Sequence, residues 1–161
     1  MRKWTLMGLF FLLAGIVQAQ EKAPKLEFVF EVQAVCDPAY DCGVTANGLV
    51  RNIIPIVGGQ VVGPKLQGKV IPGGADYQLV DKATGRTQLE AIYSVKTNDG
   101  VNIHVRNVGI LVPGENGPYF RTAPKFEAPA DSPYAWLNNS LFICVPGPGD
   151  GYISLKMWKV D

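Results

Sequence analysis

Eighteen glycines and twelve prolines punctuate the chain, and few windows between them are long enough for three turns of helix. Proline removes a backbone donor, and glycine forfeits the most conformational freedom when fixed in a helix. The runs left between these breakers are rich in Val, Ile, Phe and Tyr, which suit a half-buried pleated surface. Over residues 26–35, Leu26, Phe28, Phe30 and Val32 alternate with Glu27, Glu31 and Gln33. Residues 49–57, 60–62, 66–71, 75–80, 87–97, 101–110, 119–126, 141–145 and 152–160 have the same strand character. Residues 146–151 (PGPGDG) read as a surface turn before the last strand. No fixed-period repeat and no low-complexity linker divides these runs, so the chain reads as one domain.

A sheet without helices to cover it buries one face against itself, as a sandwich or a closed barrel. The pairs Gly58-Gly59 and Gly73-Gly74 suit bulges or sharp corners. They favour an all-β fold with a single closed antiparallel β-barrel of about eight to ten strands. The clearest hairpin turns on Asn98-Asp99-Gly100, which supplies positive-φ positions. With Asp99-Gly100 at the tip, Ser94 is expected opposite Val105, and Ile92 opposite Asn107. Glu90 and Ile92 would then share a face with Val105 and Asn107. Leu89, Ala91 and Tyr93 would share the other with His104 and Arg106.

The first nineteen residues carry an address. Arg2 and Lys3 precede an apolar run over residues 6–17, and Val17-Gln18-Ala19 offers a cleavage site. That is the pattern of a secretory signal peptide over residues 1–19, followed by a single domain over 20–161. The alternative is an uncleaved anchor, but a membrane span needs about 20 apolar residues, and this run is shorter. A periplasmic or secreted location is expected. After cleavage, thirteen basic residues face fourteen acidic ones, without a Lys/Arg cluster. Neither nucleic acid nor, after cleavage, a membrane surface is therefore an expected partner.

Export also permits disulfides. Cys36 and Cys42 bracket a turn-rich stretch that a bridge would close; the alternative is free thiols. Cys144, in an apolar run, reads as a small core residue.

Several chemistries find no support. His104 is the single histidine, and the cysteines lack the paired spacing of zinc sites, so no metal or other cofactor is expected. There is no G-x-S-x-G elbow. The glycine-rich residues 58–63 lead into Pro64 and more strand, where a phosphate cradle would open a helix.

What remains is polar residues within strand-like runs: Asp76, Glu90 and Asn107. Two carboxylates turned into a barrel could act as acid and base; the alternative places them in solvent. Arg121 beside Tyr119-Phe120 could clamp an oxyanion or form a rim ion pair. Phe120, Phe126, Tyr134 and Trp136 could wall a pocket for a flat apolar ligand or simply fill the core. His104 could shuttle protons or lie exposed.

The segments together resemble the "domain of unknown function 3237" family over nearly the whole mature chain. The resemblance is carried by Ile54-Pro55-Ile56-Val57-Gly58-Gly59, Val62-Gly63-Pro64-Lys65-Leu66-Gln67-Gly68 and Ile71-Pro72-Gly73-Gly74-Ala75-Asp76-Tyr77-Gln78. It continues in Thr97-Asn98-Asp99-Gly100, in residues 119–127 (YFRTAPKFE) and in Tyr134-Ala135-Trp136-Leu137-Asn138. Tyr77 stands where the family commonly has Trp, and the signal peptide and the Cys36/Cys42 loop differ from typical members. The resemblance implies a closed antiparallel β-barrel with an axial cavity, similar to allene oxide cyclase and dirigent proteins. Those neighbours steer cyclisation or coupling of small molecules without metals. Several are oligomeric, so a homo-oligomer is an expectation.

It also implies that Asp76, Glu90, Asn107 and Arg121 line the cavity. The leading expectation is an exported barrel binding a small, partly apolar organic molecule. The alternative is a metal-independent isomerase, cyclase or lyase, with Asp76 or Glu90 as general acid/base and Arg121 as oxyanion partner. A third class is an interaction protein using exposed strands.

Overall fold

The computed structural model describes residues 23–161; the expected signal segment 1–19 lies outside them. Nine strands follow in order: β1 (Leu26–Cys36), β2 (Tyr40–Val44), β3 (Val50–Val62), β4 (Gly68–Val80), β5 (Thr87–Thr97), β6 (Asn102–Val112), β7 (Tyr119–Glu127), β8 (Leu141–Pro148) and β9 (Ile153–Val160). Each pairs antiparallel with its neighbour in the order β1-β9-β8-β7-β6-β5-β4-β3, and β3 returns to β1. Eight strands thus close a barrel, which removes the free sheet edges an open sheet would expose. Strand β2 is an extra ribbon laid on the first half of β3.

The glycine pairs sit where the sheet bends. Between Ile56 and Gln60 the β3–β4 register shifts, and between Ile71 and Ala75 the β4–β5 register shifts. Gly59 has φ +132° and Gly73 φ +110°, backbone positions that side chains disfavour.

The hairpin between β5 and β6 corrects the expected register by one residue. Its loop holds three residues, Asn98-Asp99-Gly100, closed by the Thr97 amide donating to the Val101 carbonyl at 2.9 Å. Gly100 takes φ +93° and donates to the Thr97 carbonyl at 2.9 Å, as a type I turn with a following left-handed residue requires. The Thr97 hydroxyl accepts from the Val101 amide at 2.8 Å and reinforces this closure. Tyr93 therefore faces Val105 and Ala91 faces Asn107. Leu89, Ala91 and Tyr93 share the inner face with Ile103, Val105 and Asn107, and Glu90 turns outward.

Inward side chains taper along the barrel axis. At one end Phe126 packs edge-on against Phe30 and Phe142, with ring centroids 5.7 and 4.9 Å apart. Each such contact contributes about 0.5–1.5 kcal/mol beyond the apolar area it buries. A 3-10 turn over Ala135–Asn139 covers this end, with Leu137 fully buried and Trp136 tilted against Phe142. Two residues at a time toward the other end, Phe30 gives way to Val32, Ala34 and Cys36 on β1. Tyr93 gives way to Ala91 on β5, and Phe142 to Cys144 and Pro146 on β8. Large side chains plug one half of the barrel; smaller ones leave the other half hollow.

Candidate functional site

The hollow half holds a cavity of about 190 Å³, partly open to solvent and mostly apolar in its lining. An engineered cavity of roughly 150 Å³ accepts benzene, so this one is sized for a single ring. Its wall includes Ile54 and Ile56 from β3, Leu89 and Ala91 from β5, Phe120 from β7 and Leu155 from β9. The polar lining residues are Asp76, Gln78, Asn107 and Thr122, with Cys36 the one titratable group besides Asp76.

The ladder explains how these polar groups meet. Ile54, Asp76, Ala91 and Asn107 are successive register partners across β3, β4, β5 and β6. Adjacent strands lie about 4.8 Å apart, which sets Asp76 and Asn107 roughly 10 Å apart at the backbone. The methyl of Ala91 is the only side chain between them on that row. Cys144 pairs with Thr122 on the next wall.

Asp76 Oδ2 accepts from Gln78 Nε2 at 2.8 Å, and Gln78 Oε1 in turn accepts from Asn52 Nδ2 at 3.0 Å. Among the described residues, Asp76 Oδ1, Asn107 Oδ1, Thr122 Oγ1 and the Tyr93 hydroxyl are shielded and without a hydrogen-bond partner. Burial raises the Asp76 carboxyl above the ordinary carboxylate range; the Gln78 amide and, to a lesser extent, the Glu90 main chain pull the other way. Burial also raises the Cys36 thiol, with the charges of Asp76 and Asp37 adding to the effect. Cys144 is pushed up to about 11 by burial, which keeps it a neutral, unreactive core thiol. Burial likewise raises Tyr93 and keeps its phenol protonated.

Of the expected site residues, Asp76, Asn107 and Phe120 come together here. Glu90 does not: with Leu89 and Ala91 facing inward, it lies on the outer surface, paired with Arg106 Nη2 at 2.7 Å. Arg121 also points outward, because Phe120 and Thr122 on either side of it face the cavity. Its Nη1 donates to the Phe120 carbonyl at 2.6 Å, and its guanidinium lies 5.6 Å from the Tyr119 ring centre. Phe126 belongs to the aromatic plug. Tyr134 and Trp136 belong to the cover beneath it, where the Tyr134 hydroxyl donates to Asp99 Oδ1 at 2.9 Å. His104 faces outward beside Ser94 at 3.4 Å.

Of the two alternatives for Cys36 and Cys42, bridge or free thiols, the structure has free thiols. Alternation turns Cys36 inward with Ala34, whereas Cys42 sits exposed in the irregular β2 ribbon. Gln78, Thr122 and Ala91 were not singled out from sequence. Period-two spacing from Asp76 and Phe120 was the signal for the first two, and the three-residue hairpin loop for the third.

The sequence profile of the family described as "Protein of unknown function (DUF3237)" matches residues 24–160. A "UPF0311 protein" of Rhodopseudomonas palustris is 39% identical over 136 residues, spanning 74% of this chain and 87% of that relative. The crystal structure of a beta-barrel like protein from Acinetobacter baumannii shares the fold. Its TM-score is 0.81 at 24% identity, with 89% of this chain and 100% of that one covered. A hydroalkoxylation enzyme of Penicillium herquei is 28% identical over 138 residues, covering 86% of this chain and 85% of that enzyme. A crystal structure of an enzyme from the same fungus superposes with a TM-score of 0.71 at 26% identity, over 89% of this chain and 98% of that one. With the matched profile running through every strand of the barrel, the chain belongs to the family described as "Protein of unknown function (DUF3237)".

Proposed function

We propose that this chain is an exported barrel that takes a small, partly apolar organic molecule into its cavity and moves a proton on it with Asp76. The observation that carries the reading is a shielded carboxyl with one oxygen unpartnered, set in the wall of an otherwise apolar, ring-sized hollow. A buried polar atom without a partner costs about 1–3 kcal/mol, which a ligand O–H brought to that oxygen would recover. A carboxyl whose proton affinity is raised by burial takes a proton more readily than an ordinary carboxylate and can return it as the acid.

The likeness to a hydroalkoxylation enzyme supports this class of chemistry. Hydroalkoxylation adds an alcohol O–H across a carbon–carbon double bond. In this cavity the Asp76 carboxylate would accept the hydroxyl proton as the carbon–oxygen bond forms. The resulting carboxylic acid would return a proton to the neighbouring carbon. Every substrate atom is retained, and no oxidant or reductant is consumed. The mostly apolar walls would disfavour water that competes with the alcohol.

The mostly apolar lining also favours a second reading, binding without turnover, and occupancy is common to both. A panel of single-ring phenols, with and without an alkenyl side chain, measures it by calorimetry. Ala91→Leu fills the gap between Asp76 and Asn107 and is expected to weaken binding at least about tenfold by overpacking the site. Glu90→Gln and Arg121→Ala, on the outer surface, are expected to leave it unchanged. Undiminished binding by Ala91→Leu would show that the cavity is not the site.

A further inference from the structure

Asp76 is the last member of a chain of side chains that starts at the barrel mouth. Asn52 donates to Gln78 Oε1, and Gln78 Nε2 donates to Asp76 Oδ2. In this direction every N–H points toward the carboxyl, which suits its ionised form, an acceptor only. A carboxyl protonated on Oδ2 needs the reverse: its O–H donates to Gln78 Oε1, and Gln78 Nε2 then donates to Asn52 Oδ1. A carboxamide carries an acceptor and a donor on one planar group, so both directions use the same atoms after two half-turns. We propose that Asn52 and Gln78 form a reversible two-amide relay, offering Asp76 a donor when it is ionised and an acceptor when it is protonated.

Besides this relay, the Glu90 main chain is the other hydrogen-bonding influence on the carboxyl. Strands β5 to β9 face the cavity with no titratable lining side chain, and β1 contributes only Cys36. The Arg51 guanidinium, on β3, donates to the Gln78 main-chain carbonyl at 3.5 Å rather than to the carboxyl. Glu90 and Arg106 neutralise each other on the outer face. Asp41 on β2 is the register partner of Asn52 and the charge beside the relay's outer end. With its proton on Oδ2, the carboxyl loses its hydrogen bond to Gln78 unless that partner can invert. The relay supplies that inversion. Its use in turnover rests on Asp76 as the proton-transferring group, but its existence does not.

The test therefore titrates Asp76 without substrate, following its carboxyl carbon by NMR in the full chain. Asn52→Asp replaces an amide with an ionised acceptor, which forces Gln78 Nε2 outward and its Oε1 toward Asp76. The Asp76 pKa is expected to rise by about one unit or more, roughly a tenfold change in its acid constant. In a Gln78→Met background the same substitution acts only through space, and its effect is expected to fall to less than half. Should Asn52→Asp fail to fold, Asn52→Leu also frees the Gln78 amide to invert and is expected to shift Asp76 in the same direction. Equal shifts with and without Gln78, or no shift in either Asn52 variant, would overturn the relay. Loss of turnover in Asp76→Asn alongside a flat titration would sink the relay and spare the proposed function.

Discussion

Asp76→Asn is expected to remove turnover by about 10²- to 10⁴-fold, the usual contribution of a positioned general acid or base, in a barrel that stays folded. The substitution preserves shape, and the Asn carbonyl can still accept from Gln78 Nε2, so positioning survives while titration is lost. The same change is expected to stabilise the fold near neutral pH. Burial holds the native carboxyl above its ordinary value of 3.8, so the folded state binds the proton more tightly than the unfolded chain. Wild-type stability therefore falls as pH rises from about 4 through the raised native pKa. Above that window the full cost of burying the charge remains, and below it the cost vanishes. The Asn variant has no such slope, so its advantage in thermal unfolding is expected near pH 7.5 and to vanish near pH 3.5. Improved stability with lost activity is the signature of a strained functional group. A variant that turns substrate over at the wild-type rate would end the acid/base reading.

The barrel was legible because its determinants are local. Breakers left only strand-length runs, and the doubled glycines marked the places where closing a sheet needs bulges. The site was less legible because alternation separates two faces without saying which is inside. A single extra loop residue between Thr97 and Val101 exchanged the faces of β5 relative to β6. Glu90 went out and Ala91 came in beside Asn107. Arg121 drew a functional reading from its chemistry, yet its neighbours Phe120 and Thr122 hold the inward positions. Phe126 faces inward as expected and still lies off the cavity, because position along the axis decides between plug and hollow. That position follows from the taper of side-chain size summed over several strands, which no single segment reveals. The polar chain from Asn52 through Gln78 to Asp76 needed the β3–β4 register, where Asn52 pairs with Gln78.

Gly59→Ala is expected to destabilise the barrel by more than about 3 kcal/mol, a large share of the roughly 5–15 kcal/mol that holds an ordinary domain together. A Cβ at this position would lie 1.9 Å from the Gln33 carbonyl oxygen and 3.2 Å from the Ala34 Cα. Both obstacles are backbone, so no rotamer change relieves the clash; only separation of β1 from β3 does. The φ of +132° adds a conformational cost of about 1–3 kcal/mol. Gly43→Ala separates the two contributions, because Gly43 also has positive φ (+87°) but its Cβ would meet nothing within 4 Å. Chemical denaturation of the pair is expected to show a modest loss for Gly43→Ala and a much larger one for Gly59→Ala. Equal losses would mean that the close approach of β1 and β3 contributes little. The seam matters for function because Gly59 pairs with Ala34, and Ala34 and Cys36 are the residues through which β1 lines the cavity. Where β1 parts from β3 the apolar wall opens to water, Asp76 regains solvent, and its pKa falls back toward that of an ordinary carboxylate. Barrel closure at Gly59 and the proton affinity of Asp76 are thus two readings of one sealed wall.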